Sequence, residues 1–176
     1  MTASSFLAPN RYITDNNDDG DSFFSTALST NIPVADGIPG VVQRLAYTTE
    51  PPPVQLSDEA DLQSYQNALN EKPALVKSNG GSNFWYLDMP PGLESPMHRT
   101  VSVDIVILLK GELELTLSSN DTRIIKPGDM VLQRSTLHKW RNTSDTEWVR
   151  IFAVMTGCQQ VKTKNAGELG ESFLAY

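Results

Sequence analysis

Residues 101–133, VSVDIVILLKGELELTLSSNDTRIIKPGDMVLQ, decide the fold class. Val101–Leu109 and Glu112–Leu117 are rich in valine, isoleucine and leucine and are divided by Lys110-Gly111, which predicts two strands with a tight reversal between them. Glu112-Leu113-Glu114-Leu115-Thr116-Leu117 alternates, so its leucines face inward and its carboxylates face water. Ser118-Ser119-Asn120-Asp121 and Pro127-Gly128 set off two more short strands, Arg123–Ile125 and Met130–Gln133. Working outward, Phe84–Leu87 precedes this run, closed by Pro90-Pro91-Gly92, and Glu147–Met155 follows it. Short strands with turn signals every 8–12 residues or so, and no βαβ pattern, predict an all-β sandwich or jelly-roll barrel.

The flanks read differently. Tyr12–Thr14 and Phe23-Phe24 bracket the polar stretch Asp15–Gly20, a loop or a hairpin turn ending in Asp-Gly. Asp15, Asn17 and Asp19 resemble a calcium loop, but Thr26 stands where the closing Glu is required, so calcium is rejected. Val41–Tyr47 predicts a strand with Val41, Gln43, Leu45 and Tyr47 on one side, stopped by Pro51-Pro52-Pro53. Ser57-Asp58-Glu59 followed by Leu62, Tyr65 and Leu69 predicts one short capped helix ending before Pro73. The chain therefore divides into an N-terminal arm with connecting segments packing on the barrel (1–82), a barrel core (83–156) and a polar tail (157–176).

The 176 residues suffice for one hydrophobic core. A formal charge of −7 without clustered Lys or Arg argues against nucleic acid as a partner. No window is apolar enough for a membrane span. A single cysteine, Cys158, excludes an intramolecular disulfide, and residues 1–10 lack the pattern of a secretory signal. These features predict a cytoplasmic protein, which makes the sequon Asn142-Thr143-Ser144 a chance match.

The chain has two histidines, both in the strand-rich half and each beside a turn. His98, Thr100, Ser102 and Asp104 share parity, so one regular strand would point all four to the same face. His138 comes from another strand, and two imidazoles with a carboxylate form a donor set for iron or zinc with positions left open. Without metal, the same histidines serve as general acid and base, oriented by Asp104. Phe84, Tyr86, Thr100, Gln133 and Trp140 are the candidate substrate-binding residues. Arg150 lies among Trp148, Val149, Ile151 and Phe152 and needs a partner if buried.

Gly92, His98, Thr100, Asp104 and Gly111, followed by Pro127-Gly128-Asp129 through His138 to Asn142, resemble the paired motifs of the cupins. Ser95–Thr100 and Gln133–Asn142 are similar to a subgroup of small bacterial and fungal cupins, with Val101, Ile105 and Ser135 standing where that subgroup often has Glu, Tyr and Gly. The resemblance implies a cupin jelly-roll β-barrel with an N-terminal β arm and one short helix. It implies a site for a small-molecule substrate built on His98, Asp104 and His138, either holding a divalent metal (iron, zinc, manganese or nickel) or metal-free. It also implies a homodimer that pairs through arms and sheet edges. The expected activity is that of a tailoring lyase or isomerase of secondary metabolism, which dehydrates, isomerises or decarboxylates a polyketide-like intermediate. The alternatives are an iron-dependent oxygenase and a non-catalytic small-molecule binding module.

Overall fold

In the computed structural model, residues 4–35 and 37–174 are described. In chain order the strands are β1 (Ile13–Asn16), β2 (Ser22–Ser25), β3 (Val42–Thr49), β4 (Ser82–Met89), β5 (Met97–Arg99), β6 (Ser102–Lys110) and β7 (Leu113–Leu117). They continue with β8 (Thr122–Ile125), β9 (Met130–Arg134), β10 (His138–Asn142), β11 (Val149–Gly157), β12 (Val161–Thr163), β13 (Gly167–Leu169) and β14 (Ser172–Leu174), and a helix α1 (Ala60–Asn70) lies between β3 and β4. Two five-stranded sheets, ordered β14-β5-β10-β7-β8 and β3-β4-β11-β6-β9, carry the core between them. This is the all-β jelly roll predicted from the sequence. No helix among the described residues is long and apolar enough to cross a membrane.

Alternation builds the core. Leu113 and Leu115 of β7 are buried opposite Asn142 and Trp140 of β10, and Val106 and Leu108 of β6 pair with Ala153 and Ile151 of β11. Gly111 turns the chain from one sheet to the other with φ +88, and a Cβ there would lie 2.7 Å from Val149 Cγ2. Only glycine takes that conformation and that approach without strain. Gly128 and Asp129 form the turn read from the sequence, the Asp129 carboxylate accepting the Lys126 N–H at 2.9 Å.

The flanking segments depart from expectation in informative ways. β3 carries a register shift between Leu45 and Tyr47, so Gln43 and Leu45 are buried as expected but Ala46 and Thr48 follow them inward. Tyr47 turns instead to the outer face, its ring 5.8 Å from that of Phe84. Ser57 does not cap the helix. It opens a 3-10 turn, Asp58 and Glu59 take positive φ (57° and 55°), and α1 begins at Ala60. Leu62 and Tyr65 are buried as predicted, and the Tyr65 hydroxyl donates to the Leu45 carbonyl at 2.7 Å. β1 and β2 pair as the hairpin around Asp15–Gly20.

Arg150 has its partner. Nε and Nη2 donate to the two oxygens of the buried Asp88 at 2.6 and 2.7 Å, while Nη1 donates to the Leu7 carbonyl at 2.9 Å. This fork ties the N-terminal segment to the outer face of the β3-β4-β11-β6-β9 sheet. Within the polar tail, β12 and β13 form a hairpin, and β14 pairs with β5.

Candidate active site

His138 on β10 and His98 on β5 are direct cross-strand partners, so their rings must share a face. That face is the barrel interior, because Trp140 and Asn142, in phase with His138, are buried with Leu115 and Leu113. The ring centroids are 4.3 Å apart at 51°. Each ring is fixed by its own strand entry: His98 Nδ1 lies 2.8 Å from the Pro96 carbonyl and His138 Nδ1 lies 2.9 Å from the Thr136 carbonyl. A carbonyl only accepts, so Nδ1 carries the proton in both rings and the lone pair of the neutral form sits on Nε2. Two basic nitrogens are thus held side by side with their tautomers set by the backbone.

Their surroundings tune them. His138 is 3% exposed. Burial lowers its pKa to about 4, against the raising effect of the Thr136 carbonyl and with a further lowering from the neighbouring His98. His138 is therefore neutral at physiological pH. Trp140 meets it edge-on at 5.8 Å, and Phe173 of β14 lies parallel to the His98 ring, 7° and 6.0 Å away. Phe173 is 65% exposed and covers the His98 ring from the solvent side.

Asp104 is placed differently from the sequence expectation. The even-parity run does not form one strand: β5 ends at Arg99 and β6 begins at Ser102, so the chain crosses from one sheet to the other between His98 and Asp104. Thr100, Ser102 and Asp104 are all buried, but in the company of one another. Burial raises the Asp104 pKa to about 6, opposed by the hydroxyls of Ser102 and Thr100. The expected role of orienting a histidine falls instead to the two backbone carbonyls. Among the described residues no three His, Cys, Asp or Glu side chains gather closely enough to hold a metal ion. In this arrangement the His98–Asp104–His138 ligand set is not assembled, and two imidazoles fall short of the three protein ligands of a facial triad or an open zinc site.

Of the candidate substrate-binding residues, Thr100, Gln133 and Trp140 face the interior and are buried. Phe84 and Tyr86 do not. They alternate with the buried Trp85 and Leu87 on β4 and point to the outer face, where they line a cavity of about 480 Å³ with Tyr12, Tyr47 and Phe152. Asn142 is a structural lock, its amide donating to the Pro90 and Glu147 carbonyls at 2.9 and 2.8 Å. Sequence reasoning missed Phe173, whose tail gave no strand signal. Ser135 takes φ +49, and its hydroxyl donates to the Thr100 carbonyl at 2.8 Å. This is the position where the similar subgroup has glycine.

A jelly-roll barrel with a histidine pair on its inner wall is the class that fold and site define. The Cupin domain family model matches residues 85–155. The chain is 42% identical over 83% of its length, and 77% of the relative's, to Phomopsin biosynthesis cluster protein C′ of Diaporthe leptostromiformis. It is 38% identical to Oryzines biosynthesis cluster protein J of Aspergillus oryzae, over 95% of this chain and 92% of that one. It is also 34% identical to the cupin-domain-containing oxidoreductase fogC of Aspergillus ruber, over 86% and 73%. The chain belongs to the cupin superfamily.

Proposed function

We propose that this cupin is a small-molecule tailoring enzyme of secondary metabolism that works by proton transfer at His98 and His138, dehydrating or isomerising a polyketide-like intermediate. The observation that carries the reading is the pair of Nε2 atoms, left basic because both Nδ1–H groups are bonded to backbone carbonyls. The biosynthesis-cluster names of its relatives support the metabolic setting.

In this scheme His138 Nε2 takes a proton from carbon, and the C–H electron pair moves into the new double bond. The imidazolium so formed, a strong acid because of its burial, returns the proton to the departing hydroxyl, which leaves as water. Isomerisation differs only in that the proton returns to another carbon. His98, whose ring is 4.3 Å away, holds the leaving hydroxyl in place by accepting its O–H at Nε2. A base weakened by burial suits carbon acids already activated by an adjacent carbonyl. Phe173 and Trp140 supply the apolar walls.

The test is the conversion of a β-hydroxy aryl ketone to its conjugated enone, followed by ultraviolet absorbance, in wild type, His138→Ala and His98→Ala. The expected result is a loss of about 10²–10⁴-fold in either variant. Full activity in His138→Ala would overturn the reading. A second reading, an oxidoreductase, is favoured by the name of the Aspergillus ruber relative. It predicts substrate-dependent oxygen consumption after loading with Fe(II), measured with an oxygen electrode.

A further inference from the structure

Two buried side chains that stand opposite each other each keep one oxygen without a donor. Asp104 on β6 and Gln133 on β9 are direct antiparallel partners, and each is 4% exposed. They sit on the inner face of the sheet opposite the histidines. Gln133 Nε2 donates to Thr136 Oγ1 at 3.0 Å, which leaves its Oε1 without a partner, and Asp104 Oδ1 is likewise unpartnered. The Ser102 and Thr100 hydroxyls favour the Asp104 carboxylate but leave its Oδ1 without a partner. Ser102 Oγ donates to Thr100 Oγ1 at 2.7 Å, and Ser135 Oγ donates to the Thr100 carbonyl at 2.8 Å. None of the ion pairs among the described residues includes Asp104.

Directly opposed residues on antiparallel strands have Cβ atoms about 4.5–5.5 Å apart, so one small group between these two side chains reaches both oxygens. A buried acceptor left unsatisfied is destabilising, more so when it is charged. Two such acceptors side by side, one able to carry a negative charge, mark a place shaped for something that brings hydrogens and positive charge.

We propose that Asp104 Oδ1 and Gln133 Oε1 form an ammonium cradle, which binds a protonated primary amine on the small molecule whose other end meets His98 and His138. An ammonium group has hydrogens enough for both oxygens, and its charge is the one the carboxylate lacks. A hydroxyl can satisfy one acceptor and leaves the charge unmatched. The inference rests on the reading of the barrel interior as the substrate cavity. It assigns Asp104, which stands where the family frame has a motif carboxylate, to recognition.

The experiment uses isotope-labelled full-length protein titrated with phenethylammonium chloride and, separately, with phenylethanol, followed by NMR at the Gln133 side-chain amide. The expected result is saturable binding of the amine, weaker binding of the alcohol by about tenfold or more, and an equal loss for the amine in Asp104→Asn. Gln133→Leu, which keeps the carboxylate and is followed instead at the Trp140 indole N–H, loses less. Three outcomes overturn the proposal: no saturable shift at Gln133 with the amine, equal binding of amine and alcohol, or unchanged amine affinity in Asp104→Asn. The two readings fail separately. Enone formation that ignores His138 defeats the proton-transfer scheme and leaves the amine titration standing, and a flat amine titration does the reverse.

Discussion

Replacing Asp104 with Asn should stabilise the protein at neutral pH. The carboxyl moves from its ordinary value of 3.8 to about 6 on folding, because burial penalises the charged form more than the Ser102 and Thr100 hydroxyls favour it. The folded state therefore binds the proton more tightly than the unfolded chain does. Between pH 3.8 and about 6 stability falls as pH rises, and above that window the full penalty of an ionised buried carboxylate is present. A tenfold change in proton affinity corresponds to about 1.4 kcal/mol, so the penalty at neutral pH is about 3 kcal/mol. Asparagine has nearly the same shape, carries no charge and can donate an N–H toward Gln133 Oε1. Urea unfolding of wild type and Asp104→Asn at pH 7.5 and pH 3.5 measures the difference. The variant should gain up to about 3 kcal/mol at the higher pH, or roughly 6–12 °C in melting temperature for a chain of this size. The gain should shrink toward zero at the lower pH. A variant less stable than wild type at pH 7.5, or a gain equal at both pH values, would show that the carboxylate is not held against a desolvation cost.

His138 should act in the opposite direction. Its pKa falls from 6.5 to about 4 on folding, so the unfolded chain binds more protons in that window and stability is lost as pH drops through it. The loss is about 3 kcal/mol, and His138→Gln should flatten this part of the acid-unfolding profile. Gly111→Ala should cost more than about 2 kcal/mol in thermal melts, since its φ of +88 and the 2.7 Å approach to Val149 Cγ2 both oppose a Cβ. Arg150→Ala strands the buried Asp88 and releases the Leu7 carbonyl. It should lose about 3–5 kcal/mol and expose the segment before Asn10 to limited proteolysis.

How much of this was legible in the sequence depended on whether the deciding contacts were local. The alternation of Glu112–Leu117 fixed which residues of β7 face inward, because only one of its faces is apolar. β4 offered no such asymmetry. Phe84 and Tyr86 are as apolar as Trp85 and Leu87, and a period of two separates faces without saying which one is covered by the N-terminal segment. Thr100, Ser102 and Asp104, read as sharing one face, are all buried, and His98 faces inward through its pairing with His138. Parity could not show that the chain changes sheets after Arg99, which takes Asp104 away from the histidines. The histidine pair itself was legible from motif spacing. Its anchoring by the Pro96 and Thr136 carbonyls was not, since backbone acceptors leave no trace in residue type.

The return of β14 to β5 has a consequence for how the site comes into being. The Phe173–His98 pairing closes a loop of roughly 75 residues, a slow, late kind of contact in a folding chain. β7 and β8, or β10 and β7, find each other across far shorter loops. The nucleus of the barrel can thus form while His98 still lacks its aromatic cover. Core and histidine pocket then mature in sequence, and a refolding experiment should see tryptophan burial reach completion before Phe173 settles on His98.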